Sequence, residues 1–188
     1  MDSKNKWNRK HSSRLEQYKE TGPNTRLKNL TAYLDGGVAV DFASGLGENS
    51  LFLAKLNYDV RAFDISEIAV AHLNEQASQQ QLTLQARTCD LTQSSNLDLP
   101  ENSIDLVIIT YFLNREIFPL AKSIIKENGY IFMETFYLSH VNHQENVSNQ
   151  YKLRPQELLA VFDGWEILYY EENQQEGRQT LFARKIAL

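Results

Sequence analysis

Asp41, Gly45, Gly47 and Glu48 stand close together where an apolar run, Val38 to Phe42, gives way to a glycine-bearing turn and a helical pattern. Glycine lets a backbone bend sharply and lets a ligand approach without a Cβ in the way, so this strand-turn-helix is a cradle. A cradle for phosphate offers bare N–H groups and the partial positive charge of a helix start. This one offers carboxylates instead. Asp41 lies on its strand side and Glu48 at the helix start, and Asp64 and Asp90 end the next two predicted strands. Acids gathered on one rim repel a pyrophosphate and suit a nucleoside that carries a positive charge.

Asp64, at a strand end, can accept both hydroxyls of a ribose, with hydrogen bonds to the charged group contributing on the order of 1.5–3 kcal/mol. An Asx turn before Ser66 is a compatible second role. Ile65 then lies against a base face, Asp90 accepts from an adenine amino group, and Leu91 adds an apolar contact. A dinucleotide fingerprint would want glycine at position 50, where Ser50 stands. Tyr111, Tyr137 and His140 follow predicted strands on the same rim and are the candidates for taking a proton from an acceptor. Phe112 and Asn114 read as a core aromatic and a cap. His140 and His143 are three apart, but nothing completes a metal ligand set, so no metal is expected.

Positioning these residues takes alternating elements. Arg14 to Leu34 reads as helical with a break at Gly22-Pro23, where Asn24 or Thr25 caps the second piece and Leu27, Leu30 and Leu34 share one face. Strands are predicted at 38–42, 59–63, 82–89, 104–110 and 130–136. Helices are predicted at 49–57, from a Ser66 cap to about Gln80, at 114–126 with its end at Gly129, and at 155–162. The runs 166–171 and 179–185 close on Glu176-Gly177 with no room for a crossover helix, so they must be antiparallel. The expected fold is α/β: a doubly wound, mostly parallel seven-stranded sheet in three αβα layers, ending in an antiparallel hairpin. Ligands of such sheets bind beyond the carboxyl ends of the strands, which gathers the acids and tyrosines on one edge.

The 188 residues fit a single domain: a helical arm or lid over 1–34, then an αβα core over 35–188. With one cysteine, Cys89, and no apolar stretch of about 20 residues, the chain is expected to be cytoplasmic and neither disulfide-stapled nor membrane-bound. A net charge of −5 argues against a nucleic-acid partner. The first fourteen residues carry five cations against Asp2, which leaves the remainder near −9. That basic arm is either a solvated tail or a lid drawn to an acidic mouth.

The run Asp41-Phe42-Ala43-Ser44-Gly45-Leu46-Gly47 resembles the D-x-G/A-x-G-x-G motif of class I S-adenosylmethionine-dependent methyltransferases. Leu53-Ala54, Val60-Arg61-Ala62-Phe63-Asp64-Ile65-Ser66 and Cys89-Asp90-Leu91 resemble its later blocks, and Trp7 to His11 is similar to an N-terminal W-x-x-R-Y element. Tyr111 to Glu116 and Leu153 to Leu159 are similar to small bacterial methyltransferases grouped with the tellurite-resistance and thiopurine enzymes. The resemblance implies S-adenosylmethionine as cofactor, S-adenosylhomocysteine as product, and a small-molecule methyl acceptor. It carries Asp41, Ala43, Gly45, Gly47, Asp64, Ile65, Asp90, Leu91 and Tyr111 over as cofactor residues. Glu48-Asn49 stands where the group often has Arg-Asn, Asn57 replaces a frequent glycine, and His11 takes the aromatic position of the N-terminal element. A non-catalytic module that senses the same cofactor is the alternative; an NAD-dependent oxidoreductase is disfavoured by Ser50 and Glu48. Neither monomer nor dimer is favoured.

Overall fold

A computed structural model describes residues 2–17, 21–142, 144 and 146–186, so His143 lies outside the described residues. The chain divides into two compact units, Met1–Asn96 and Leu97–Leu188.

In the first unit, helix α1 (Ser3–Glu16) starts where Asp2 accepts from the Lys4 amide. The basic arm is therefore a regular helix, and it begins well before the helical stretch expected from Arg14. The expected second piece is α2 (Thr25–Asn29), capped by Asn24 on the amides of Arg26 and Leu27 and followed by a 3-10 turn, Thr31–Tyr33. Strand β1 (Gly37–Phe42), α3 (Glu48–Lys55), β2 (Tyr58–Asp64), α4 (Glu67–Gln79) and β3 (Leu84–Thr88) then alternate. β1 is parallel to β2 from Gly37↔Tyr58 to Phe42↔Phe63, and β2 to β3 from Val60↔Leu84 to Asp64↔Thr88. In-register parallel strands end level, so the residues after Phe42, Asp64 and Thr88 leave at one edge. Leu51, Ala62, Leu73 and Ala86 form a buried cluster beneath that edge.

The second unit contains β4 (Ile104–Thr110), α5 (Ile117–Ile124), β5 (Ile125–Phe136), α6 (Glu157–Val161), β6 (Glu166–Asn173) and β7 (Arg178–Arg184). Its strand order is β4-β5-β7-β6, with β4 and β5 parallel and β7 antiparallel to both neighbours. The expected terminal hairpin is present. The expected helix over 114–126 is shorter at both ends. Asn114 turns the chain by accepting from the Glu116 amide. At the far end, the Ser103 amide donates to the Ile124 carbonyl, and Lys185 Nζ donates to the carbonyls of Lys122 and Ile125. With those carbonyls taken, the chain passes straight into β5. Gly129 is therefore a strand residue and not a helix end. A Cβ there would meet Ile125 Cγ2 at 2.9 Å and the Asp105 carbonyl at 3.0 Å.

Among the described residues, no helix is long and apolar enough to cross a membrane.

Candidate active site

Asp41 is the penultimate residue of β1 and is 0% exposed. Its Oδ2 accepts from Ser50 Oγ at 2.5 Å, while Oδ1 has no partner. Burial pushes the carboxyl up to about 7; the Ser50 hydrogen bond opposes that rise, and the negative charges of Asp64 and Glu48 add to it. Two of the other acids read from the sequence, Asp64 and Glu48, thus act electrostatically on Asp41. A buried carboxylate oxygen with no donor is an uncommon, costly arrangement in a folded chain.

The turn after β1 is built from left-handed residues: Ala43 at φ +59°, Gly45 at +55° and Gly47 at +88°. The Ser44 amide donates to the Phe63 carbonyl, which ties this turn to β2. The two glycines serve different neighbours. A Cβ on Gly47 would fall 2.3 Å from Leu73 Cδ1, so this glycine lets α3 start directly against α4. A Cβ on Gly45 would meet only His11 Cε1, at 3.4 Å. Gly45 therefore faces α1.

Asp64 clamps the same turn. Its Oδ2 accepts from the Gly45 amide and its Oδ1 from the Ser66 amide, each at 2.8 Å. The Asx turn weighed from the sequence is present, and each oxygen keeps a further lone pair for a ligand. Ser66 caps α4 and donates from Oγ to Asn8 Oδ1 of α1 at 2.7 Å. Lys4 of α1 pairs with Glu67. His11 is 2% exposed, stacks on Trp7 with centroids 5.7 Å apart, and has no partner at Nδ1. The helical arm thus lies on the glycine turn and the start of α4, and it brings the polar groups of Asn8 and His11 Nδ1, to which the sequence reading gave no binding role. The W-x-x-R-Y likeness was their only signal.

Asp90 accepts at Oδ1 from the Thr92 amide and hydroxyl, as a turn aspartate does; Ile65 is half-buried and Leu91 buried.

In the second unit, the three proton-acceptor candidates part company. Tyr137 is buried, with desolvation raising its phenol further from neutral pH. His140 is exposed. Tyr111 follows β4 at φ +55°, a conformation that costs a non-glycine residue roughly 1–3 kcal/mol and is kept where surroundings enforce it. Its amide donates to the Glu134 carbonyl at 2.8 Å, and its hydroxyl donates to Glu134 Oε1 at 2.9 Å. Glu134 is fully buried and also accepts from Thr180 Oγ1 at 3.0 Å. The pairings Thr110↔Glu134, Glu134↔Thr180 and Phe136↔Arg178 assemble this group from three strands. Glu134 was missed in the sequence, although a lone acid in the run Ile131 to Phe136 is itself a signal. Arg178 and Thr180 carry no such mark.

Comparison with known proteins gives this geometry its family setting. The family described as Tellurite resistance protein TehB matches residues 8–183. A probable S-adenosyl-L-methionine-dependent methyltransferase TehB of Haemophilus influenzae is 27% identical over 144 residues, which is 75% of this chain and 50% of that protein. The chain thus spans about half the length of the curated relatives it matches. The crystal structure of TehB from Haemophilus influenzae superposes with a TM-score of 0.78 at 24% identity, covering 94% of this chain and 67% of that one. A SAM-dependent methyltransferase from Aquifex aeolicus gives 0.68 at 16% identity, covering 99% and 100%. These likenesses carry the fold: the doubly wound, mostly parallel seven-stranded sheet with its terminal antiparallel hairpin is the class I methyltransferase fold.

Proposed function

The chain belongs to the tellurite resistance protein TehB family, and from that premise we propose that it moves a methyl group from S-adenosylmethionine to a small-molecule acceptor by in-line displacement. The observation that carries the reading is the turn after β1, which follows the wholly buried Asp41 with its unpartnered Oδ1 and holds Gly45 under His11 of α1. An orphan carboxylate oxygen next to a glycine-bearing turn fits the ammonium-bearing end of this cofactor. A pyrophosphate would meet repulsion there.

Asp41 holds the cationic end, Asp64 turns its free lone pairs to the ribose, and Asp90 with Ile65 and Leu91 holds the base. When bound, the cofactor supplies an electrophilic methyl group on a sulfonium. The protein's share is then largely placement: holding two reactants in line is worth up to roughly 7–11 kcal/mol of barrier. Helix α1 acts as the lid, latched by Asn8 on Ser66 and Lys4 on Glu67, with His11 closing over Gly45. We further read the protein as a cytoplasmic bacterial enzyme that acts on neither nucleic acid nor membrane.

Thermal unfolding with S-adenosylhomocysteine beside NAD tests the cofactor, since a ligand of the native state at a hundred times its Kd stabilises by about 2.7 kcal/mol. Stabilisation by NAD alone overturns the reading. Binding of S-adenosylhomocysteine with no turnover across thiols, phenols, oxyanions and small amines would favour the sensing module.

A further inference from the structure

Ser50 stands where a dinucleotide fingerprint would place glycine, so the position carries a hydroxyl that glycine could not supply. It lies in the first turn of α3 and is 0% exposed. A serine on a helix commonly returns its hydroxyl to a carbonyl of the preceding turn. This one reaches out of the helix to β1 and donates to Asp41 Oδ2 at 2.5 Å. Both residues of that hydrogen bond are wholly buried, and Asp41 Oδ1 has no partner. With one oxygen pinned the carboxylate cannot turn freely, so the direction of the other oxygen is set.

We propose that Ser50 is a positioning residue: acting through Asp41, it tunes the turn after β1 to a cofactor that presents an ammonium group. The proposal rests on the methyl-donor reading of that turn. An ionised carboxylate has no hydrogen to give, so the Ser50 hydroxyl is the donor and the bond favours the ionised form. An ionised Asp41 with a fixed free oxygen meets an ammonium with charge and hydrogen bond together. A ligand without that group leaves the buried oxygen uncompensated, which is how a polar site rejects an analogue.

Ser50 works against its surroundings. Burial raises the Asp41 carboxyl most, the Ser50 hydrogen bond lowers it, and Asp64 on β2 and Glu48 on α3 raise it, which leaves it at about 7. On α1, His11 faces Gly45 of the same turn. Burial holds it below its ordinary value, with Arg14 and Lys10 of α1 pushing the same way against Asp64 and Glu48, so it brings little positive charge at pH 7. A carboxyl poised at about 7 changes its ionised fraction steeply around neutral pH, so loss of one hydroxyl is felt there.

The test compares wild type with Ser50→Ala in the full chain. Carbon-13 titration of the aspartate carboxyls, with Asp41 identified as the resonance that Asp41→Asn removes, should give a midpoint near 7 in wild type. In Ser50→Ala that midpoint should lie about one pH unit higher, and an unmoved or lowered midpoint overturns the proposal. Calorimetry then sets S-adenosylhomocysteine against its desamino analogue, which lacks only the amino group. Wild type should prefer the former by about tenfold or more at pH 7. Ser50→Ala should cut that preference by about fivefold at pH 7 and by less than about twofold at pH 8.5, where the ionised fraction recovers. A preference left unchanged, or cut equally at both pH values, overturns the proposal and leaves Ser50 a structural role alone. If Ser50→Ala does not fold, Ser50→Cys, a weaker donor, should move the midpoint in the same direction, and a fixed midpoint there overturns the proposal. Wild type that binds both ligands equally overturns it while the methyl-donor reading stands. Failure of wild type to bind S-adenosylhomocysteine sinks that reading, and the proposal with it.

Discussion

Asp41 meets two environments with its two oxygens, Ser50 on one side and no donor on the other, and the imbalance has measurable consequences. Its carboxyl is raised from 3.8 to about 7, so the folded state holds a proton that the unfolded chain has already released over that range. The stabilising contribution of the protonated group is therefore complete below about pH 4 and is lost as pH rises towards 7. Asp41→Asn should flatten this part of the stability–pH curve. At pH 8 it should exceed wild type by on the order of 2–4 kcal/mol in urea unfolding. Function should move the opposite way. The ammonium of S-adenosylhomocysteine prefers ionised Asp41, so calorimetric affinity should climb by up to about tenfold per pH unit until near 7, and the Asn variant should lose that slope. A residue kept at a cost to stability is the kind expected at a binding site.

Elements explain why two glycines in one motif are not equivalent. Gly47 is where α3 begins against α4, and an added methyl must displace the buried Leu73 from a left-handed position. Gly47→Ala should cost roughly 2–4 kcal/mol of stability. Gly45→Ala meets only the His11 ring at ordinary contact distance and should cost about 1 kcal/mol, its damage falling on cofactor affinity instead. Helix α1 has its own pH response. Burial holds His11 below its ordinary value; Asp64 and Glu48 pull it up, while Arg14 and Lys10 push it down. A depressed histidine stabilises the fold above its unfolded value of 6.5, and that contribution is lost as pH falls. Hydrogen exchange in 3–16 should therefore quicken between pH 7 and 5 relative to α4, and His11→Phe should suppress the difference. Equal exchange in wild type and variant would show that α1 is held by other contacts.

At the scale of the whole molecule, the two units lean opposite ways on acid. The first contains Asp41, which the fold favours protonated. The second contains Glu157, which burial drives up but the Arg115 fork, at 2.6 and 2.9 Å, and the Arg154 amide drive down by more. A carboxylate held below 4.5 contributes stability that is lost as pH falls through its folded value. Between pH 5 and 3, β4 and β5 should lose exchange protection before β1 and β2 do. Glu157→Gln should cost roughly 1–3 kcal/mol at pH 7 by removing the charged partner of Arg115, which keeps only the Gln150 and Lys152 carbonyls, and it should remove that early acid step.

Seven strands, their order of direction, and the glycine-bearing turn after β1 with its acids were legible in the chain itself, because each is written locally. Periodicity marks strands and helices, Ser66 and Asn24 mark their starts, and a short polar turn around Gly177 forces an antiparallel hairpin. The end of α5 was not legible, since it depends on Lys185 reaching carbonyls some sixty residues away. Nor was the Tyr111–Glu134–Arg178 cluster, whose members come from separate strands and meet only through register. The burial of His11 against the glycine turn was not legible either, because it is a property of where α1 docks. Backbone propensity is encoded by near neighbours, but partnership between side chains depends on which strands pair and which helices pack, and only the folded chain fixes that.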